Sequence, residues 1–385
     1  MACIYPYDDS PDALFRPAEG LTAQDYFQRW SRDDIAEPHL LCAEMSRLAY
    51  ADRPVVENAL RQIEFTLIDR LGGERLRDRF AAWGCDGFVA ADGDGRTVVA
   101  FRGTESDKPE DLLVDLLARP VDWAGGGQVH EGFAAAFAAV QAQVRTAVEG
   151  ARGGPLLLTG HSLGAGLATL VAAERRHPRT TLITFGSPRV GDRDFGRLFD
   201  DAGVARFVNC CDVVARVPPE AFDEPHLQQL LVELTDRPLV ARAAAVALSA
   251  VLSGIAARFV DVAPARYVNA EGRVTAGMTG DDVKGDQDAA RARYRDGHRP
   301  APSPGAIGSG LLDPIGVLPA GDSVRDRIRS LARRLFPGIA GGAVPLRDLA
   351  DHAPINYVSA MVRSFRAAGA TPCEMRRRRP AEPSR

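Results

Sequence analysis

The chain has 385 residues, with 47 Lys and Arg against 51 Asp and Glu, a formal net charge of −4, and 45% hydrophobic and 25% charged residues. This is the ordinary composition of a globular protein, and its near-neutral balance offers no electrostatic footing for nucleic acid. No stretch reaches the roughly 20 apolar residues needed to cross a bilayer, so no transmembrane segment is expected.

In chain order, residues 1–80 read as a helical N-terminal segment, with apolar residues at three and four spacing over Ser31–Tyr50 and Val56–Arg70. From Phe88 the pattern changes to short strands: Arg96–Arg102, Pro155–Thr159, Thr180–Phe185 and Ala205–Cys211. Helical patterns separate them over Phe133–Glu149, Leu163–Arg176 and Asp192–Ala202. Strands alternating with helices imply an α/β fold with a mostly parallel central sheet flanked by helices, here in a single domain over 1–385.

After Pro218, residues 219–345 read as an insertion. The uncharged run Ala243–Ala257 is read as a buried helix, with a lid or a shallow membrane-dipping helix as the functional alternative. A strand pair is expected around Arg258–Val274, then a polar stretch over Thr279–Arg299, a Pro- and Gly-rich loop over Arg299–Gly321, and an amphipathic helix over Ser323–Phe336. An apolar helix, Tyr357–Ala367, closes the fold. Residues 371–385 form a flexible basic tail, for which contact with anionic lipid is the functional alternative.

The six cysteines, Cys3, Cys42, Cys85, Cys210, Cys211 and Cys373, fit neither a zinc spacing nor a compact disulfide framework, so no metal or cofactor is expected. Residues 1–9 have no basic region followed by an apolar one. The expected location is therefore cytoplasmic, with signal-less export as the alternative.

The chemistry centres on Pro155-Leu-Leu-Leu-Thr-Gly160-His161-Ser162-Leu163-Gly164. A short apolar strand runs into Gly-His-Ser-Leu-Gly and then into a small-residue helix, the form of a nucleophile elbow. Gly160 and Gly164 let strand and helix close on Ser162, and the helix N-terminus lies against any negative charge that develops there.

A serine nucleophile needs a base and a group to orient it. The order Ser, Asp, His leaves His226, His298 and His352 as candidate bases, of which His352 sits in a loop before the last helix. Asp212 ends the strand Ala205–Cys211 and is the expected acid, whereas Asp192 and Asp194 read as first-turn helix residues. Two oxyanion donors are expected: the backbone N–H of Leu163, and Thr104 at the end of the strand Val98–Phe101.

Together these segments resemble the class-three (fungal-type) lipases of the α/β-hydrolase superfamily. Phe101-Arg102-Gly103-Thr104 is similar to the family's oxyanion strand, and Val129-His130-Glu131-Gly132-Phe133 to the opening of the helix before the nucleophile strand. Gly160–Gly164 is similar to the elbow, Phe207-Val208-Asn209 leading to Asp212 to the acid strand, and Asp351-His352 followed by Tyr357 to the histidine loop. The resemblance spans about residues 80–220 and 345–370. It implies an α/β-hydrolase fold, a triad of Ser162, Asp212 and His352, and an oxyanion hole of Thr104 and Leu163. It also implies a lid in Glu105–Gly125, where Asp111–Ala118 has an amphipathic pattern. Two features depart from the family: the long interval from Asp212 to His352, and no evident disulfide scaffold.

The expected activity is hydrolysis of carboxylic esters of lipids, with lipid ester as substrate and peripheral contact with a lipid surface. Phospholipase A1 or acyltransferase activity on the same triad is the alternative, followed by a lipase-like binding or regulatory protein.

Overall fold

The computed structural model describes residues 5–72, 86–104, 119–149, 154–175, 178–200, 203–220, scattered positions between 224 and 249, 258–297 and 347–366. Short capped helices open the chain. Ser10 accepts from the Ala13 N–H to start α1 (Pro11–Phe15), Ser31 and Asp34 form a capping box on α2 (Arg32–Ala36), and Pro38 begins α3 (Pro38–Leu48). The helix expected over Val56–Arg70 is a correction. Helix α4 (Arg53–Gln62) stops before Glu64, whose φ is 61°, and β1 (Phe65–Leu71) follows. A left-handed residue breaks the helix, and antiparallel pairing with β2 (Gly87–Asp92) then sets the conformation of a segment whose apolar spacing suits either state. Among the described residues of the segment 1–80, the last helix thus ends at Gln62.

β2 turns back into β3 (Thr97–Phe101). The Asp92 carboxylate accepts from the N–H groups of Asp94 and Arg96 and shapes that turn. β4 (Pro120–Asp122) and β5 (Gln128–His130) make a separate small ribbon. Helix α5 (Glu131–Glu149) leads to β6 (Leu156–His161), α6 (Leu163–Arg175), β7 (Thr180–Phe185), the short α7 (Arg193–Gly196) and β8 (Gly203–Asn209). The main sheet has the order β1-β2-β3-β6-β7-β8-β9, parallel from β3 onward. β6 is buried along its whole length, as a parallel strand covered on both faces requires.

The strand β9 (Ala265–Val268) lies in the stretch read as an insertion. It joins β8 in parallel, so the expected strand pair over Arg258–Val274 is corrected to one sheet strand plus isolated bridges from Val268 to Val274 and from Val260 to Gly191. The stretch read only as polar contains α8 (Gly280–Gly297). Helices α9 (Arg347–Ala350) and α10 (Pro354–Phe365) follow, with α10 packed on α3. This is the α/β-hydrolase architecture: a mostly parallel sheet flanked by helices. No described helix is long and apolar enough to cross a membrane.

The helix expected over Ser323–Phe336, the basic tail 371–385, the lid segment 105–118 and most of 243–257 lie outside the described residues. Of 243–257, Ala245, Val246 and Ser249 are described and helical.

Candidate active site

The parallel strands end in register. Phe101 pairs with Gly160, His161 with Phe185, and Phe185 with Phe207. The ladder continues one step beyond, with the Ser162 N–H on the Phe185 carbonyl at 3.0 Å and the Gly186 N–H on the Phe207 carbonyl at 3.1 Å. Residues following four strands therefore line one rim, the edge where open parallel sheets build their sites.

Ser162 stands on that rim with φ 59°, between the end of β6 and the start of α6. A left-handed non-glycine residue costs about 1–3 kcal/mol, and here the close approach of strand and helix imposes it. A Cβ on Gly160 would press on the backbone of Gly164 and Ala165, and a Cβ on Gly164 on the carbonyls of Phe101 and Arg102. Both glycines are required for contact, and Ser162 is the turn between them.

Asp212 and His352 meet although 140 residues separate them. His352 Nδ1 lies 2.8 and 3.0 Å from the two Asp212 carboxylate oxygens, so it carries the proton and donates. The Tyr357 hydroxyl also donates to Asp212, at 2.6 Å, and accepts from the Asn209 N–H at 2.9 Å. The Val214 N–H gives Asp212 a further donor at 2.8 Å. Burial opposes ionisation of Asp212, but the neighbouring imidazole and the donors from His352 and Tyr357 outweigh it and hold the carboxyl below its ordinary range. Gly186, φ 58°, packs directly on this pair: a Cβ there would lie 2.7 Å from an Asp212 oxygen and 2.9 Å from His352 Nδ1.

With Nδ1 engaged, Nε2 of His352 is the free position. It is buried and has no hydrogen-bond partner among the described residues. The Thr104 hydroxyl is in the same condition. Gly103, just before Thr104, is clamped against the elbow, since a Cβ on it would lie 2.8 Å from the Ser162 Cβ. The ring of His161, next to Ser162, lies 4.6 Å from that of His352. Gly103, just before Thr104, and Leu163 thus adjoin Ser162, while His352, held by Asp212, packs near His161, the residue before the serine, and makes no hydrogen bond from Nε2 to Ser162.

The remaining candidates lie elsewhere. Asp192 caps α7 by accepting from the Phe195 N–H, and Asp194 pairs with exposed Arg197. His226 and His298 fall outside the described residues. Residue reading passed over Gly186, and also Tyr50 and His161, which bond to each other beneath Ser162. A glycine directly after an apolar strand was the signal for Gly186. Tyr50, 111 residues from its partner, left none.

Among the described residues, one group has metal-ligating atoms close together: Cys210, Cys211 and Asp351, within 4.8 Å of one another. Its atoms are already engaged. Asp351 takes Arg347 at 2.7 Å, Tyr7 at 3.0 Å and the Cys211 N–H at 2.9 Å, and the Cys211 thiol reaches the Gln287 carbonyl at 3.6 Å. The Cys210 contact and burial push the Cys211 thiol well up.

A serine in an elbow, an oriented imidazole and a buried acid on the rim of such a sheet define the class of α/β-hydrolases. Residues 98–222 match the family model "Lipase (class 3)", so this part of the chain is similar to that family. It is 34% identical over 148 residues to phospholipase A(1) DAD1, chloroplastic, of Arabidopsis thaliana, covering 31% of this chain and 33% of that protein. It is 32% identical over 152 residues to secreted mono- and diacylglycerol lipase 1 of Fusarium solani, covering 37% and 46%. The chain thus matches under half the length of either relative. Among solved structures, a lipase from Rhizopus microsporus var. chinensis aligns at 24% identity and a TM-score of 0.41, over 50% of this chain and 71% of that one.

Proposed function

We propose that this protein is a serine hydrolase cleaving carboxylic ester bonds of lipids through an acyl-enzyme. The observation that carries the reading is His352, whose Nδ1 is held by Asp212 while Nε2 lies buried and unpartnered among the described residues, its ring packed near His161, the residue before a serine in left-handed backbone. Ser162 Oγ attacks the ester carbonyl as Nε2 accepts its proton. Asp212 balances the imidazolium that forms. Thr104 and the Leu163 N–H receive the oxyanion, at the N-terminus of α6. The tetrahedral species collapses, the alcohol leaves with the proton from Nε2, and water clears the acyl group by the same route.

Acylglycerol is the substrate we favour, supported by the Fusarium relative's name; the phospholipase A(1) relative supports phospholipid as the second reading. Presentation of substrate at a lipid surface is part of the proposal. It rests on the apolar sequence pattern of Leu112–Leu117 and on the uncharged run 243–257.

The test measures three activities: hydrolysis of tributyrin through its solubility limit, of phosphatidylcholine with a labelled 1-acyl chain, and of a soluble p-nitrophenyl ester. Labelling of the serine by a fluorophosphonate probe is followed in parallel. We expect rate to rise at the tributyrin emulsion, and Ser162→Ala to abolish labelling and lower kcat by on the order of 10⁴-fold or more. More than a tenth of wild-type activity in Ser162→Ala would overturn the nucleophile. Smooth saturation below the solubility limit would make the enzyme a soluble-ester esterase, and faster turnover of the phospholipid would select the second reading.

A further inference from the structure

His161 and Tyr50 are buried beneath the elbow and take no part in the proton transfers above. The His161 Nε2 lies 2.7 Å from the backbone carbonyl oxygen of His352. A carbonyl can only accept, so Nε2 bears the proton, and in the neutral ring Nδ1 keeps its lone pair. The Tyr50 hydroxyl, 2.8 Å from Nδ1, therefore donates to it. Its oxygen in turn accepts from the Gly103 N–H at 2.9 Å. With the ring neutral, the chain of hydrogen bonds runs from Gly103 to Tyr50 to His161 to His352. Burial, reinforced by the nearby His352, pushes the His161 pKa down to about 3.

We infer that Tyr50 and His161 are positioning residues, which brace the oxyanion strand at Gly103 against the base loop at His352 and so set the two sides of the reaction centre relative to Ser162. Asp212 holds the His352 ring and His161 holds its backbone, giving the base two independent anchors. At the other end, Tyr50 holds the chain one residue before Thr104, where a Cβ on Gly103 would lie 2.5 Å from the Tyr50 hydroxyl. Tyr50 follows α3, so the N-terminal segment becomes part of the active centre. This inference rests on the Ser162–His352–Asp212 reading.

A misplacement of about 1 Å at a reacting group costs on the order of 10²-fold, whereas substrate binding at a distance from it is spared. Tyr50→Phe keeps the ring and removes the hydroxyl. It should lower kcat on a soluble p-nitrophenyl ester by about 10- to 100-fold with KM within about twofold, and slow fluorophosphonate labelling in step. Because a buried orphan can also lower stability, the second pair is His161→Gln and His161→Leu. Gln retains one donor and one acceptor, and should recover at least about tenfold of the activity that Leu loses, at matched melting temperature. The double variant Tyr50→Phe/His161→Leu should be no slower than the worse single variant, since both cut one chain. Unchanged kcat in Tyr50→Phe, equal losses in the Gln and Leu variants, or additive losses in the double variant would each overturn the brace. A wild-type protein that the probe does not label at Ser162 would instead overturn the hydrolase reading beneath it.

Discussion

Asp212 selects the tautomer of His352. Its carboxylate accepts from Nδ1, leaving Nε2 without a hydrogen-bond partner among the described residues. Asp212→Asn can present an N–H₂ to Nδ1 and draw the proton to Nε2. We expect kcat to fall by about 10³- to 10⁴-fold with KM little altered, which steady-state kinetics on a p-nitrophenyl ester would check. His161 gives a stability prediction. In the unfolded chain its imidazole titrates near 6.5, whereas in the fold it is pushed down to about 3. Between those values the unfolded state binds a proton that the native state refuses. Its contribution is therefore intact above about pH 6.5 and is lost as pH falls through that window toward 3, by up to about 1.4 kcal/mol per pH unit. Urea midpoints of His161→Gln should fall less steeply than those of wild type from pH 6.5 to 4. Parallel curves would mean that other groups carry the acid sensitivity.

The elbow works as an element because β3, β6 and α6 touch through two glycines. A Cβ on Gly164 would be driven into the carbonyls that end β3, which cannot yield as a side chain would. Gly164→Ala should destabilise by about 1–3 kcal/mol and lower kcat by on the order of 10²-fold, because α6 must lift from the rim that aligns Ser162 with Thr104. Gly285→Ala in α8 meets nothing within 4 Å and removes a flexible residue from a helix interior, so it should be neutral or stabilising by about 0.5–1 kcal/mol. Urea melts of both variants compare the two directly. The elements legible in sequence were those with a clear period and firm punctuation: β3, β6, β7, β8, α5 and α6. Helix α8 was not legible because only Ala290 and Tyr294 are buried on it, so it has no apolar stripe to read.

Helix α8 matters at the scale of the molecule through Arg291, whose guanidinium grips the buried Asp348 carboxylate at 2.6 and 3.0 Å. Asp348 belongs to α9, four residues before His352, and its backbone carbonyl takes the Val213 N–H next to Asp212 at 3.2 Å. Nearby, Gln287 donates to the Cys210 carbonyl at 2.7 Å and Tyr267 to Asp286 at 2.7 Å. The stretch between acid and base is therefore not a mere excursion, since it supplies the seventh strand and a prop for the histidine loop. Arg291→Leu strands a buried carboxylate and should cost about 3–5 kcal/mol. Adding Asp348→Asn should recover part of that loss, which thermal melts of the single and double variants would test. Failure to recover would mean that the arginine acts by packing alone.

From its own order of residues, the chain determines what local chemistry can encode. Gly160-His161-Ser162-Leu163-Gly164 specifies a turn of one shape, apolar runs of strand length specify a covered parallel sheet, and chain order leaves three candidate bases, of which the loop position favours His352, with Asp212 at a strand end as the expected acid. These signals lie within a few residues, where period, glycine and strand end act together. The tertiary structure alone decided what depends on contacts across long separations. Tyr50 reaches His161 over 111 positions and Asn356 reaches Asp8 over 348. Residues 65–71 become an edge strand because β2 offers a partner, and β9 enters the main sheet from a stretch with no strand-like regularity around it. A hydroxyl or a polar helix carries no mark of its distant partner, because hydrogen bonds and ion pairs are settled by where the folded backbone brings the two groups together.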